Sequence, residues 1–304
     1  MSKPPAVFCR FLMVLIAGAA LEKGALAQTD SFQSLPSLPS PHDDVPAFTV
    51  ARFDVSSLPE GTFDADAGGD PGTIQSSDHH GAVRNAIRRT LEDQKELYLT
   101  PFKESNFKWD VLELAGTGGL IAADRHIEKH IGNAHYQFYQ DTSNIAIGGL
   151  SAALAGVWIY GLKTESHRHA RETGFLTLET LVDTFLIYTP MQFVAARQRP
   201  GEGNGNGDFW KHHMINTSFP GGHAMFTYAM ATVLSHEYSQ KWVQVLAYSA
   251  ASIVTVSRFM ARDHWSSDMF IGSALGIGIG AHVFHAHCDP ELSDSCKHHT
   301  RFIF

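Results

Sequence analysis

Residues 243–284 of the chain have the sequence VQVLAYSAASIVTVSRFMARDHWSSDMFIGSALGIGIGAHVF. Two apolar segments, 243–256 and 269–284, flank a polar stretch here. Each segment is of helix length and lacks the alternation of apolar and polar residues that a half-buried strand shows. We therefore predict two helices, and their connection carries the polar residues Ser257, Arg258, His264 and Asp268.

Four further apolar segments of helix length precede this stretch, at 109–123, 145–162, 175–196 and 224–238. The sequence thus predicts an all-α fold, a helical bundle of about six core helices. Another helix, amphipathic and on the surface, is expected to start at Ser77 and Asp78 and to end before Pro101. Its apolar positions recur every four residues, at Val83, Ile87 and Leu91. The helical domain should extend over 78–304, with its motif core at 175–284.

The N-terminal residues have the layout of a secretory signal peptide over 1–27. Lys3 and Arg10 precede an apolar stretch at 11–21, and small residues lead up to Gln28. An uncleaved anchor is the alternative, and in both cases the chain leaves the cytoplasm. Residues 28–77 are rich in Ser, Pro, Asp and Gly without apolar periodicity, which predicts a disordered or loosely docked tail.

Membrane insertion stays open at this point. A spanning helix needs about 20 mostly apolar residues, and only the segment 145–162 approaches that length cleanly. Glu179 and Asp183 interrupt the next segment, and the mean hydropathy of the chain is low. If the helices span a membrane, the basic loop 163–171 should stay in the cytoplasm. The expected location is therefore the periplasm, or a membrane with the active site facing outward.

The charge distribution bears on the kind of ligand that the chain binds. The formal net charge of −8 is unlike that of a nucleic-acid-binding protein, which usually has a basic surface. Cationic side chains are nevertheless concentrated in one later part of the chain: Arg197, Arg199, Lys211, Arg258 and Arg262. The net charge therefore predicts no nucleic-acid partner, and the concentration of cationic residues predicts a local anion site.

The cysteines and the paired histidines give weaker signals. Removal of a signal peptide would leave Cys288 and Cys296, which either form a disulfide, the interpretation we favour, or remain free thiols. His126 and His130 have the spacing of one helical turn, but no glutamate follows the first directly, as a zinc protease requires. We interpret them as surface histidines.

Three short motifs occur in order in the second half of the chain. The first is Arg199-Pro200, the second runs from Ser218 through Pro220, Gly221 and Gly222 to His223, and the third is Ser257-Arg258 followed by His264 and Asp268. Together they resemble the signature motifs of the type 2 phosphatidic acid phosphatase and vanadium haloperoxidase superfamily. The family patterns are Lys-x6-Arg-Pro, Pro-Ser-Gly-His and Ser-Arg-x5-His-x3-Asp, and the third matches at every defined position.

The resemblance implies a role for each motif residue. His264 would attack phosphorus and form a phosphohistidine, and His223 would protonate the leaving oxygen and later deprotonate water. Asp268, four residues after His264, would share its helical face and orient its ring. Arg199 and Arg258 would bind the phosphate oxygens. Neither a metal nor a cofactor is required.

Two positions depart from the family pattern. Gln192 stands where the first motif has lysine, and Gly221 stands where the second has serine. We expect Gln192 to donate hydrogen bonds to the phosphate without contributing charge. The backbone N–H groups of Gly221 and Gly222, at a helix start, are expected to cradle the anion.

The function predicted from these residues is that of an exported phosphatase acting on phosphate monoesters or diphosphates, lipid phosphates among them. Two alternatives remain. One is a vanadate-dependent haloperoxidase, which shares the site but holds vanadate. The other is a catalytically impaired membrane or periplasmic protein that only binds phosphate, an idea motivated by Gln192 and Gly221.

Overall fold

The structure is a computed structural model that describes residues 77–103, 106–132, 135–163, 165–211, 213–214 and 216–297. The predicted signal peptide and nearly all of the predicted tail lie outside these residues. Within them the chain forms eight α-helices and two short 3-10 turns and no strand. The helices are α1 (Ser77–Leu99), α2 (Phe107–Glu128), α3 (Tyr136–Leu162), α4 (Arg168–Ala195), α5 (Gly222–Glu237), α6 (Lys241–Met260), α7 (Ser266–His287) and α8 (Asp294–Lys297).

The all-α prediction is confirmed, and the six predicted core segments correspond to α2 through α7. All six observed helices start earlier than predicted, by nine residues in α3 and by seven in α4, because the first turns of these two helices are mostly polar and were not counted in the apolar segments. The main apolar core lies between α4, α5 and α7, and includes Leu176, Met225, Val283 and Phe284.

Close packing of α5 against α7 depends on three glycines one turn apart in α7. A Cβ atom at Gly272, Gly276 or Gly280 would collide with backbone oxygens of the second motif and of α5. Small residues at this spacing let two helix backbones approach closely. The two helices therefore bring the second and third motifs together at their N-terminal ends.

Helix α1 packs on the bundle in a different way from the one predicted. Ile87 and Leu91, two of the residues that defined its apolar face, are exposed. The side of α1 that meets the bundle instead carries Asp93, which is buried, and Leu97, which packs against the main core. Polar contacts hold α1 to the bundle, since Arg89 and Gln94 donate to carboxylates of α4 and Asp93 contacts His287 of α7.

Cys288 and Cys296 form a disulfide, so the favoured one of the two alternatives is the one found. The bridge ties the short helix α8 to the end of α7.

Candidate active site

The three motifs converge at one end of the helical bundle. Arg199 follows the C-terminal end of α4, His223 lies in the first turn of α5, Arg258 in the last turn of α6, and Asp268 in the first turn of α7. The N-terminal end of α3 is at the same end, because its Ser143 and Asn144 contact Arg258. Five helix ends therefore surround the candidate site.

His264 lies just before α7 and is 2% exposed. Its Nδ1 is 2.7 Å from the carbonyl oxygen of Ser218. A carbonyl oxygen can only accept a hydrogen bond, so Nδ1 must carry the proton and Nε2 must hold the lone pair. Nε2 is buried and has no hydrogen-bond partner among the residues that the structure describes. This is the tautomer that a nucleophilic histidine needs.

The surroundings of both histidines favour their neutral forms. Burial, and after it the positive charge of Arg199, holds the pKa of His264 well below its usual value. Burial, followed by the charges of Arg258 and Arg199, lowers the pKa of His223 to about 3. The two rings are edge to face with centroids 5.9 Å apart. The site is thus a cationic pocket containing two uncharged imidazoles.

Asp268 does not hydrogen-bond to His264, contrary to the sequence-based prediction. Its Oδ2 is 4.0 Å from Nδ1, and it accepts hydrogen bonds from Ser218 Oγ at 2.5 Å and from the Trp265 backbone N–H at 2.9 Å. The prediction placed both residues on one helix, whereas His264 precedes α7 and Asp268 caps it. Asp268 therefore reaches His264 only through Ser218.

A buried ion triad that the sequence did not indicate holds Asp268 in place. Arg197 donates to Asp268 Oδ1 at 2.6 Å and to Asp124 Oδ2 at 2.8 Å, and all three side chains are at most 1% exposed. Asp124, on α2, also accepts hydrogen bonds from Ser266 and Ser267 at the start of α7. From the sequence, Arg197 was named only among the concentrated cationic residues. Asp124 belongs to none of the three motifs and was not predicted.

The two arginines assigned to phosphate are held differently. Arg258 donates to Ser143 and Asn144 of α3, to Gln140 and to Asp263, so most of its N–H groups have protein partners. Arg199 donates to the Asp263 carbonyl at 3.0 Å and to Asn216 at 2.9 Å. Because a guanidinium has five N–H groups, Arg199 retains more donors for an anion than Arg258 does.

Gln192 does not face the pocket, so its assignment as a phosphate-binding residue is corrected. The side chain is 0% exposed. Its Nε2 donates to the Pro220 carbonyl at 2.8 Å, and its Oε1 accepts from the N–H and the hydroxyl of Thr217 at 2.5 and 2.8 Å. Both ends of the amide are used to fix the loop that carries the second motif.

Gly221 also differs from its predicted role, because its N–H donates to the Asp268 carbonyl at 2.9 Å. It is the N-cap of α5, and a Cβ there would collide with Met269 and the Asp268 backbone. Gly222 is the first residue of α5, and a Cβ there would meet the Tyr188 ring at 2.7 Å. The amides of the first turn of α5, beginning with Gly222, have no acceptor within the helix and remain suited to an anion.

A cavity of about 950 Å³ lies away from these motifs, between α1, α2, α4 and α7. Leu97, Trp109, Met191 and Leu275 are among its mainly apolar lining residues, which include neither histidine of the site. It is therefore separate from the convergence of motifs.

Comparison with known proteins supports the family resemblance. The family model described as the PAP2 superfamily matches residues 174–289, which contain all three motifs, so the resemblance is confirmed over that part of the chain. The lipid A 1-phosphatase of Porphyromonas gingivalis is 38% identical over 65 residues, which is 21% of this chain and 15% of that protein. The chain thus covers only a small part of that relative. No solved structure matches the chain.

Proposed function

We propose that the protein is a phosphatase that hydrolyses phosphate monoesters or diphosphates through a phosphohistidine on His264. The observation that carries this proposal is the position of the proton on the imidazole of His264. Its Nδ1 proton is bonded to the Ser218 carbonyl, and its buried Nε2 has no partner among the described residues. A neutral imidazole with an oriented lone pair beside two arginines is the arrangement that attack on phosphorus requires.

In the first step, Nε2 of His264 attacks phosphorus and the bond from phosphorus to the leaving oxygen breaks. Arg199, Arg258 and the first amides of α5 stabilise the charge on the remaining phosphoryl oxygens. The Ser218 carbonyl keeps the Nδ1 proton and stabilises the positive charge that develops on the ring.

His223 is suited to supply and remove protons. Its ring centroid is 5.9 Å from that of His264, so one phosphoryl group can contact both rings. Burial lowers the pKa of His223, and the charges of Arg258 and Arg199 lower it further. A bound phosphate offsets these two charges, so His223 can hold a proton when substrate is present. It donates this proton to the leaving oxygen. In the second step it accepts a proton from the water that attacks phosphohistidine, which releases phosphate and His264.

Three observations support a lipid phosphate as substrate. Helices α3, α6 and α7 are long and apolar enough to cross a membrane. Large apolar side chains on α3 and α6 are exposed, among them Ile145, Ile159, Trp242, Val245 and Leu246. Such surfaces suit lipid contact. The relative named a lipid A 1-phosphatase has a lipid-linked phosphate in its name.

The arrangement of these helices gives the proposed topology. The N-terminal end of α3, the C-terminal end of α6 and the N-terminal end of α7 all lie at the active-site end, so the basic loop after Leu162 lies at the opposite end. Lys163 and Arg168 at that end favour the cytoplasm. We place the active site at the outer surface on the basis of this loop.

The test is turnover by the purified full chain in detergent. Inorganic phosphate release is measured from p-nitrophenyl phosphate, phosphatidic acid and a prenyl diphosphate, and bromide oxidation is measured with added vanadate and peroxide. We expect phosphate release by the wild type and none by His264→Gln, with His126→Gln as the surface-histidine control. Halide oxidation without phosphate release would favour the haloperoxidase alternative, and phosphate binding without either activity would favour the impaired binding protein.

A further inference from the structure

A second group of ionisable side chains lies away from the candidate active site, where α1 docks against α4 and α7. It consists of Asp93 on α1, Glu179 on α4 and His287 at the end of α7, and one potential ligand atom of each lies within 4.8 Å of the others. His287 follows Asp268 by 19 residues on the same helix, which corresponds to about 28 Å along the helix axis. The motif residues do not use this group.

The three donor atoms surround one small volume. His287 Nε2 is 2.7 Å from Asp93 Oδ2 and 3.9 Å from Glu179 Oε1. Donors to a zinc ion lie about 2.0–2.2 Å from the metal, so neighbouring donors are roughly 3–3.5 Å apart. Small side-chain movements would therefore place all three atoms around a single ion. The side chains are 3%, 14% and 13% exposed, which limits access by water but leaves an approach.

The other oxygen of each carboxylate has its own partner. Asp93 Oδ1 is 3.1 Å from His282 Nε2, and Glu179 Oε2 accepts a hydrogen bond from Arg89 at 2.7 Å. Each carboxylate is thus held in orientation from behind while its second oxygen points toward His287. Such outer partners are a regular feature of metal sites, where they fix the ligands.

A buried carboxylate one turn after Glu179 adds to the negative charge. Asp183 is 0% exposed, and its Oδ2 has no hydrogen-bond partner among the described residues, while its Oδ1 accepts from Gln94. It is close enough to interact electrostatically with Asp93, Glu179 and His282. A buried carboxylate oxygen without a partner is costly, and a nearby cation reduces that cost.

We propose that Asp93, Glu179 and His287 bind one zinc ion, with His282 and Arg89 as outer partners, and that the ion fixes α1 to the bundle. One imidazole and two carboxylates form a donor set that suits zinc, and water would complete the tetrahedron. Asp93 lies outside the part of the chain that matches the family model, whereas Glu179 and His287 lie inside it. The ion therefore joins the N-terminal helix to the PAP2 part of the chain.

The rival explanation is an ion-pair network in which a protonated His287 bridges Asp93 and Glu179 without metal. The experiment uses the untagged full chain, stripped with EDTA and dialysed, then titrated with zinc chloride. Bound zinc is measured by elemental mass spectrometry after desalting, and the melting temperature by scanning calorimetry. We expect one zinc per chain and a melting temperature that rises on binding.

Variants identify the site. Glu179→Gln and His287→Gln should each weaken zinc binding by at least 100-fold, and His282→Gln, an outer partner, by 10- to 100-fold. The double variant His126→Gln with His130→Gln is the control, because these two histidines are exposed and their ring centroids are 4.8 Å apart, close enough to bind zinc adventitiously. Stoichiometric zinc in the control and loss in both ligand variants would support the proposal. No retained zinc in the wild type, or zinc that only the control variant loses, would overturn it.

Discussion

The carbonyl oxygen and the hydroxyl of Ser218 act on two different residues of the candidate site. The carbonyl accepts the Nδ1 proton of His264 at 2.7 Å, and the hydroxyl donates to Asp268 at 2.5 Å. Ser218 thus connects the third-motif aspartate to the nucleophile, although Asp268 itself remains 4.0 Å from the ring nitrogen. The tautomer of His264 is set by backbone, which a substitution at position 218 cannot remove.

This arrangement predicts different effects for two substitutions. Ser218→Ala removes the hydroxyl and keeps the carbonyl, so we expect kcat to fall about tenfold, the equivalent of one hydrogen bond to a charged acceptor. Asp268→Asn also breaks the buried pair with Arg197, and we expect a loss of at least a further tenfold together with a lower melting temperature. Steady-state kinetics and calorimetry on both variants provide the measurement. Equal losses of kcat in the two variants would mean that Asp268 acts only by accepting the hydrogen bond of the Ser218 hydroxyl.

Gln192→Lys should destabilise the protein without improving substrate binding. The amide makes three hydrogen bonds with Thr217 and Pro220 in a fully buried position, and a lysine would replace them with an unpaired buried charge. The expected cost is about 3 kcal/mol or more. Chemical unfolding measures this cost. Phe193→Lys is the matched control, because Phe193 is the next residue along the chain and its side chain is exposed. A stable Gln192→Lys protein with a lowered KM would show that the side chain can turn toward the phosphate.

The buried position of Gln192 could not be predicted from the sequence, although much of the fold and of the candidate site could be. Apolar segments predicted all six core helices, and motif spacing predicted that Arg199, Arg258, His223 and His264 belong together. Hydrogen-bond partners that lie on different elements, far apart in the chain, have no motif or spacing that identifies them. Asp124 binds Arg197 across 73 positions of the chain, and the loop residue Thr217 engages Gln192 across 25. The predicted contact between Asp268 and His264 is wrong because His264 lies two residues before the start of α7, and a residue outside a helix has no fixed angular relation to its first turn.

The buried state of His264 predicts a loss of stability in acid. Its pKa in the folded protein is lowered below the value of about 6.5 in an unfolded chain, so the folded state favours the neutral ring. The contribution of His264 to the free energy of unfolding is therefore fully present above about pH 6.5. As the pH falls below this value, the free energy of unfolding decreases by about 1.4 kcal/mol per pH unit. Urea unfolding between pH 7 and pH 5 should therefore show a shallower decline for His264→Gln than for the wild type. His126→Gln, an exposed-residue control, should follow the wild type, and parallel curves for all three proteins would contradict the prediction.

Chelation should separate stability from catalysis. The proposed chemistry uses only side chains and backbone of the active-site end, whereas the proposed zinc site lies at the other end of α7. EDTA should therefore leave the initial rate of phosphate release at 25 °C within about twofold, since a bound ion acts on the folding equilibrium, and should lower the melting temperature. His287→Gln should have that lower melting temperature without EDTA. Complete loss of the rate in EDTA at a temperature where circular dichroism shows a folded chain would place a metal in the chemistry itself.

The order of the two chemical steps can be tested with His223→Gln. The p-nitrophenolate leaving group needs no proton, so this variant should still transfer the phosphoryl group to Nε2 of His264. Removal of the phosphoryl group requires a base for water, and that step should slow by 10²- to 10⁴-fold. Rapid mixing should then give a burst of about one p-nitrophenol per active chain, followed by slow turnover, and labelled phosphate should be recovered on His264 by peptide mapping under alkaline conditions. His223→Gln combined with His264→Gln is the control and should give neither burst nor label. A burst with the label on another residue, or a slow first turnover without a burst, would contradict the roles assigned to the two histidines.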